Sequence, residues 1–152
     1  MYLHVVDDDE RACREMMATC ACEALRRASR SVTSHYQLAL AEAGVRPAQL
    51  PILVAIRLYQ RAPVTALAER LGLDRTTLTR NLAVLEQAGL VAMEDDDDRR
   101  MRLAVLTDAG RAVIGPAYES WREAQARLAD GFGAERLQAL VAELAAFDRA
   151  TR

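Results

Sequence analysis

The stretch 65-TALAERLGLDRTTLTRNLAVLEQAGL-90 decides the fold of this chain. Its apolar residues recur at steps of three and four, the helical period, on both sides of a turn that contains Gly72. Thr65 can cap the first helix, Asp74 can cap the second, and Gly89 can end the second. Two short helices joined by a tight turn have the outline of a helix-turn-helix.

The second of these helices has two chemically different faces. Leu78, Leu82 and Leu85 form a stripe that predicts burial. The opposite face suits the major groove of DNA, because Arg can bond guanine bidentately, Asn can bond adenine, and Thr can reach phosphates or thymine methyls. A solvated surface helix would have a similar composition, so this interpretation depends on the segment directly after the helix. The candidate DNA-binding residues here are Arg75, Thr76, Thr77, Thr79, Arg80 and Asn81.

A charged turn comes after the second helix, between residues 90–93 and 101–106, which predict two short strands of a hairpin. A winged helix has such a hairpin directly after its recognition helix, and an Arg at the tip can enter the minor groove. A carboxylate beside an Arg can fix the direction of the guanidinium, so we expect Asp98 to aim Arg100 at the groove. The wing therefore adds the candidate DNA-binding residues Asp98, Arg99, Arg100 and Arg102.

Four further helices are predicted outside the helix-turn-helix and its wing. Residues 10–43 contain neither Pro nor Gly and predict one long helix that ends at Gly44. A central helix is expected after Pro47 and ends near Ala62 and Pro63. A second long helix, over 107–130 with Thr107 as its cap, stops at a Gly-Phe-Gly break before an amphipathic closing helix.

The apolar stripes of the long helices are larger than a small DNA-binding lobe can cover. We therefore expect the helices from the two ends of the chain to dimerise. The predicted fold is mainly α, a winged helix-turn-helix with a small β-hairpin wing and a helical dimerisation region from both termini. The predicted divisions are 10–44 and 107–152 for dimerisation and 47–106 for DNA binding.

Composition narrows the classes of function. The 152 residues, 51% of them hydrophobic, suffice for one domain, and the net charge of −2 gives no global attraction to nucleic acid or membrane. The pattern lacks a signal peptide or membrane span, so we expect a cytoplasmic protein. Two histidines and no phosphate-binding glycine loop argue against an enzyme or a cofactor. The three cysteines lack the downstream partners of a zinc site, so no metal is expected.

Nearly the whole chain resembles the MarR family of bacterial winged-helix regulators. The resemblance rests on "GVRPAQLPIL", "LAERLGLDRTTLTRNLAVLEQAGLV" and "DRRMRLAVLTDAGR", of which the last, with its Asp-x-Arg, is the most specific. It implies one MarR-type domain over 1–152 and a homodimer whose two lobes bind a pseudopalindromic operator on double-stranded DNA. By position, Asp98 and Arg100 match the family's wing pair.

The wing departs from the family in its charge. From Ala62 to Thr107 eight acidic residues face six arginines, and Asp95, Asp96 and Asp97 add negative charge where the family is usually mixed or basic. Non-specific affinity scales with the phosphates that a protein neutralises. We therefore predict a modest non-specific affinity for DNA.

The resemblance also implies a repressor that a small molecule releases from DNA. In the family such effectors are commonly aromatic or phenolic and lie between the dimerisation helices and the DNA-binding lobe. The candidate effector-binding residues from the first helix are Arg30, His35 and Tyr36.

Two alternatives remain at this point. The segment 22-CEALRRA-28 with Tyr36 resembles the family's organic-peroxide sensors, in which a Cys at the position of Cys22 is the reactive thiol. Against this, the second tyrosine of that arrangement falls at Pro47, and no distant cysteine could resolve an oxidised thiol. The other alternative is a winged-helix module for protein–protein assembly without DNA binding, which an acidic wing would fit.

Overall fold

A computed structural model of the protein describes residues 3–96 and 101–151. Within these residues the chain is mainly α-helical with one small antiparallel sheet, as predicted. It divides into two compact units, Met1–His35 and Tyr36–Arg152. The elements are α1 Leu3–Thr19, α2 Ala21–Leu40, α3 Leu50–Tyr59, β1 Ala62–Pro63, α4 Val64–Leu71, α5 Arg75–Gln87, β2 Val91–Asp95, β3 Arg102–Leu106, α6 Asp108–Phe132 and α7 Ala134–Thr151.

The first long helix differs from the prediction of one helix over 10–43. It begins earlier and is interrupted at Cys20, which separates α1 from α2. The interruption is local, because the Cys20 N–H still donates to the Met16 carbonyl at 3.0 Å. The helix ends at Leu40, and Gly44 closes it as predicted, since the Val45 N–H reaches back to the Leu40 carbonyl at 3.4 Å.

The core of the second unit lies where α3, α4, α5 and the sheet meet. Its largest side chains are fully buried, and the burial of each Leu or Ile stabilises the fold by about 1.5–3 kcal/mol. The stripe predicted for α5 is confirmed, because all three of its leucines are buried. The large core side chains with no exposed surface are Ile52, Leu53, Ile56, Leu67, Leu78 and Leu85.

The sheet has three strands in the order β1-β3-β2, where the sequence predicted two. Val91 pairs with Leu106 and Asp95 with Arg102, so β2 is longer than expected. The added strand, β1, pairs Ala62 with Ala104. The central helix was predicted to end near Ala62 and Pro63, but α3 already stops at Tyr59, and β1 occupies the predicted end.

The turn between α4 and α5 depends on Gly72. This residue has a φ of +62°, a left-handed conformation that costs a glycine little. Its N–H bonds to the Glu69 carbonyl at 3.2 Å, and the Leu73 N–H bonds to the Ala68 carbonyl at 3.0 Å. These two bonds end α4 and set the direction in which the chain enters α5.

The predicted cap of α4 is wrong. The helix begins at Val64, so Thr65 lies inside its first turn. Pro63, which has no side-chain acceptor, occupies the N-cap position with ψ of 132°. The pairing of Pro63 with Leu103 in the sheet brings the chain to the helix start, so the sheet fixes this boundary instead of a side-chain cap.

The start of α6 is joined to the end of α5. Thr107 caps α6 as predicted, because its hydroxyl oxygen accepts from the Gly110 N–H at 3.0 Å. The same hydroxyl donates to the Gly89 carbonyl at 2.6 Å, and the Thr107 N–H donates to the Leu90 carbonyl at 3.2 Å. The turn that follows α5 and the start of the long helix α6 therefore share one hydrogen-bonded junction.

The last two helices are separated at Gly133, within the predicted Gly-Phe-Gly break. Helix α6 runs for 25 residues and contains Pro116, and α7 begins at Ala134. None of the described residues of α7 is buried. In the part of the chain that the structure describes, every helix is too short or too polar to span a bilayer.

Candidate nucleic-acid interface

The position of each side chain around α5 depends on the helical period and on burial. Leu78, Leu82 and Leu85 mark the side that faces the core. Thr76, Arg80 and Ala83 recur at steps of four and three on the opposite side, and all of them are exposed. We call Thr76, Arg80 and Ala83 the outer ridge. It is the part of α5 that stands farthest from the core.

Asp74 caps α5 as the sequence predicted. One carboxylate oxygen accepts from the Thr77 backbone N–H at 2.8 Å, and the other accepts from the Thr77 hydroxyl at 2.6 Å. The hydrogen bond from the Thr77 hydroxyl, followed by that from the Thr77 backbone, holds the pKa of Asp74 below its ordinary value. The cap therefore fixes the first turn of the helix and one of the predicted DNA-binding side chains together.

One flank of α5 carries Thr77 and Asn81, and both are half-buried. The Asn81 side-chain amide donates to the Thr77 carbonyl at 2.9 Å, so Asn81 folds back onto its own helix. The Thr77 hydroxyl is bonded to Asp74. Both predicted DNA-binding side chains on this flank thus already use donors within the protein.

The other flank of α5 faces the wing across a crevice of about 490 Å³. Arg75 and Thr79 line its helix side, and Arg102 at the start of β3 lines its wing side. The Thr79 hydroxyl donates to the Arg75 carbonyl at 2.7 Å, and Arg75 itself is exposed. Glu86 also lines the crevice and was absent from the sequence prediction. Its position three turns after Arg75 is the signal that could have revealed it.

The wing is described up to its tip. The Asp96 N–H bonds to the Met101 carbonyl at 2.9 Å and closes the two strands. Glu94 on β2 pairs with Arg61 at 3.3 Å. Three predicted wing residues, Asp98, Arg99 and Arg100, lie outside the described residues, and their roles stay predictions.

An apolar pocket of about 500 Å³ lies between α3 and α6. Tyr118 and Trp121 form one wall, with their rings stacked at a centroid separation of 6.0 Å. The sequence did not predict this pocket, because its walls come from two helices that lie far apart along the chain. The lining side chains are Leu50, Pro51, Val54, Ile114, Tyr118 and Trp121.

The predicted effector-binding residues do not line this pocket. Arg30 pairs with Glu23 at 3.5 Å. The Tyr36 hydroxyl donates to the side-chain oxygen of Gln125 on α6, and burial raises the pKa of Tyr36. His35 precedes it on α2. The roles predicted for Arg30, His35 and Tyr36 in effector binding therefore stay predictions.

The redox candidate Cys22 lies near the start of α2 and is exposed. The other two cysteines, Cys13 and Cys20, are exposed as well. Exposure meets one requirement of a reactive thiol, the access of an oxidant. Among the described residues, no group of three or more His, Cys, Asp or Glu side chains is placed to hold a metal ion.

A sequence model described as MarR family matches residues 43–101. This range spans α3, the helix-turn-helix and β2, and it ends directly before β3. No curated protein sequence matches the chain.

Three solved structures illustrate how widely the likeness extends. The M. tuberculosis transcriptional regulator MosR in complex with DNA is 36% identical with a TM-score of 0.76, and the match covers 88% of this chain and 98% of that one. The transcriptional repressor CouR, bound to a 23-mer DNA duplex, is 27% identical with a TM-score of 0.79, covering 88% and 95%. Bordetella bronchiseptica BpsR, whose DNA binding 6-hydroxynicotinic acid regulates, has the same fold at 22% identity and a TM-score of 0.72, covering 83% and 96%.

These likenesses agree with the geometry of the lobe. A helix with an exposed polar ridge and a wing beside it are the parts that a winged helix presents to DNA. Proteins of this kind are transcription regulators and not enzymes. The match to MosR is more than 30% identical and spans almost all of that protein, so the likeness extends well beyond the lobe. The chain belongs to the MarR family of transcriptional regulators and has its winged-helix DNA-binding fold.

Proposed function

We propose that the protein is a transcriptional repressor that binds a pseudopalindromic operator as a homodimer and that a small aromatic or phenolic effector releases it. The observation that carries DNA binding is the outer ridge of α5. Thr76 and Arg80 on this ridge are exposed, and within the described residues neither side chain has a hydrogen-bond partner. Such side chains reach a DNA groove without first breaking bonds within the protein.

The crevice between α5 and the wing supports the same function. When a helix occupies the major groove and a wing the adjacent minor groove, the phosphate strand between the grooves passes between helix and wing. Arg75 and Arg102 on the two sides of the crevice would meet that strand, and Arg is well suited to phosphate. The carboxylate of Glu86 would repel the phosphates of that strand. We expect these arginines to contribute affinity for any sequence and Glu86 to reduce it.

The homodimer is supported by α7. None of the described residues of α7 is buried within its own chain, and Val141 and Phe147 are 57% and 47% exposed. Leu140 and Leu144 join them at helical spacing and are also exposed. An apolar stripe of this kind marks a surface that another protein covers, and a second copy carries the matching stripe.

Sedimentation at micromolar concentration tests the dimer. We expect a species of twice 16.8 kDa for the protein, and Leu144→Asp is expected to shift it to the monomer. Glu143→Gln, on the same helix turn, is the matched control and should leave the dimer intact. A 16.8 kDa species alone for the unmodified protein would contradict the proposal.

DNA binding is tested by selection from a randomised duplex pool of about 30 base pairs, long enough for two half-sites one turn apart. We expect an inverted repeat to be enriched. Replacing Arg80 and Arg102 by Ala should abolish the enrichment while the dimer persists, and Arg57→Ala on α3 should not. If the protein enriches no sequence, the alternative of a winged-helix module for protein assembly gains the support.

The apolar pocket between α3 and α6 is our candidate for the effector site. Its stacked Tyr118 and Trp121 suit a flat ring, and none of the six described lining side chains carries a charge. An uncharged phenol is therefore expected to bind better than a carboxylate of the same size, because a buried carboxylate would lose its hydration without gaining an ionic partner. A ligand between the two helices would bias the position of the lobe that α3 belongs to.

A titration of the protein–DNA complex tests the effector class. We expect phenol to release the DNA at lower concentration than benzoate, and Trp121→Ala or Tyr118→Ala to weaken release while leaving DNA affinity intact. Release by hydrogen peroxide that Cys22→Ser prevents would instead support the thiol sensor, for which the exposure of Cys22 is the favourable observation. Release by phenol that neither pocket variant affects would contradict the proposed site.

A further inference from the structure

The predicted DNA-binding side chains of α5 differ in the hydrogen bonds that they already make within the protein. Thr77 and Asn81 belong to a chain of hydrogen bonds that begins at the cap. Asp74 accepts from the Thr77 hydroxyl at 2.6 Å and from its N–H at 2.8 Å, and the Asn81 amide donates to the Thr77 carbonyl at 2.9 Å. We call Asp74, Thr77 and Asn81 the cap chain.

The burial of the two groups agrees with this division. Thr77 and Asn81 are half-buried on one flank of the helix, whereas Thr76, Arg80 and Ala83 are exposed on the outer ridge. For Asn81 to bond adenine through both its amide atoms, it would have to turn away from its own helix. For the Thr77 hydroxyl to reach a base, it would have to leave the Asp74 carboxylate, and hydrogen bonds to a charged group are among the stronger ones.

We infer that the outer ridge reads the bases and that Thr77 and Asn81 are positioning residues, which hold the first two turns of α5 through the cap chain. This inference rests on the proposed binding of DNA. Arg80 is the side chain for a guanine, and Thr76 offers a hydroxyl and a methyl group. The ridge from Thr76 to Ala83 is about 10 Å long, which matches about three base steps.

Ala83 enters the site through this inference and was absent from the sequence prediction. On the outer ridge a methyl side chain lets the helix backbone lie close to the groove floor, and Ala is among the side chains that contact the methyl group of thymine. Ala83 is therefore a specificity-determining position, and a larger side chain there would keep the helix from approaching the groove floor.

Two neighbouring threonines allow a matched test. Thr76→Val and Thr77→Val each replace a hydroxyl by a methyl group one residue apart, and both keep a β-branched side chain of equal helix propensity. The probe is the randomised duplex pool, and each variant is then titrated with the enriched duplex and with an unrelated duplex of equal length. The melting temperature of each free protein is the second readout.

For the outer ridge we expect a change in sequence preference without a change in stability. Thr76→Val and Arg80→Ala should alter the base preferred at single positions and weaken binding to the enriched duplex by about 5- to 100-fold, with the unrelated duplex affected less. Ala83→Val should do the same through its bulk. The melting temperatures of Thr76→Val and Arg80→Ala should stay within about 1 °C of the original, because exposed substitutions of this kind have little effect on stability. Ala83→Val should melt slightly lower, because Val has a lower helix propensity than Ala.

For the positioning residues we expect the reverse. Thr77→Val and Asn81→Ala should keep the selected sequence and weaken binding to both duplexes by the same factor. Thr77→Val, which removes a bond of the cap, should also lower the melting temperature by about 2–4 °C. Thr77→Ser keeps the hydroxyl and should restore both readouts. This conservative variant guards against a Thr77→Val protein that fails to fold.

The outcomes separate this inference from the function on which it rests. A changed base preference in Thr77→Val or Asn81→Ala at an unchanged melting temperature would overturn the positioning role. An unchanged preference in both Thr76→Val and Arg80→Ala would overturn the reading role of the ridge. A wild-type protein that enriches no sequence would instead overturn DNA binding itself.

Discussion

Gly110 packs so closely on the carbonyl oxygen of Leu90 that a Cβ built on Gly110 would lie 1.9 Å from that oxygen. This approach joins the first turn of α6 to the turn between α5 and β2. The Thr107 hydroxyl bonds Gly89 at the same place. We therefore expect a displacement of α6 to move α5 as well, because the two helices are linked through backbone atoms at this contact.

The first prediction concerns this contact. Gly110→Ala is expected to destabilise the protein by about 1–3 kcal/mol or more, because the obstacle is a backbone carbonyl that cannot turn aside. Gly131→Ala on the same helix has open space around it and should stabilise by up to about 1 kcal/mol. Denaturant unfolding measures both free energies. Equal stability of the two variants would contradict the close approach.

A second prediction concerns the pH dependence of the α5 cap. The folded-state pKa of Asp74 lies below its ordinary value of 3.8, so the cap stabilises the fold at pH values above 3.8. This contribution is lost as pH falls through the lowered pKa, because the protonated carboxyl accepts hydrogen bonds poorly. Asp74→Ala should therefore melt below the wild type at neutral pH, and the difference should shrink as the pH falls below the pKa of the folded carboxyl.

The control for the cap is Asp74→Asn, because Asn caps helices about as well as Asp but does not titrate. Its melting temperature should lie close to that of the wild type at neutral pH. A gap between wild type and Asp74→Ala that grows at acid pH would reverse the sign and refute the assignment.

A third prediction concerns the crevice between α5 and the wing. Arg102→Ala is expected to weaken binding to every duplex by a similar factor and to reduce the slope of log affinity against log salt by about 1.8, the effect of two phosphate contacts, one from each protomer of the proposed dimer. Arg57→Ala serves as the charge-matched control and should leave the slope unchanged. The measurement is fluorescence anisotropy over a series of salt concentrations.

Glu86→Gln should act in the opposite direction, because it removes a negative charge from the same crevice. We expect tighter binding to every duplex at low salt and no change in the selected sequence. Because acidic residues outnumber arginines from Ala62 to Thr107, we expect the DNA affinity of the wild-type protein to depend only weakly on salt. A slope as steep as about −10 would contradict this expectation.

A fourth prediction concerns Gln60, a non-glycine residue with a φ of +65° and a ψ of −54°. The Arg61 N–H bonds to the Tyr59 carbonyl at 2.8 Å, which makes Gln60 the centre of a strained γ-turn. Such a conformation costs about 1–3 kcal/mol, whereas glycine adds about 0.5–1 kcal/mol of chain entropy. Gln60→Gly is therefore expected to raise the melting temperature by a few degrees, and Gln87→Gly, in the last turn of α5, to lower it.

The sequence by itself determined the helix-turn-helix, the leucine stripe of α5 and the caps at Asp74 and Thr107. These features depend on residues three or four positions apart, so the chain specifies them locally. The resemblance to MarR regulators was equally readable, because its motifs are continuous stretches of sequence.

Only the tertiary structure decided the features that join distant parts of the chain. β1 has two residues, too few for a pattern, and it exists because β3 offers an edge to pair with. The same pairing made Pro63 the start of α4 and left Thr65 without a capping role. The crevice lined by Glu86 and the pocket lined by Trp121 each need two elements that meet in space. Hydrogen bonding and burial likewise separated Asn81 from Arg80, which composition had placed together, because a sequence lists donors without showing which of them the fold has already used.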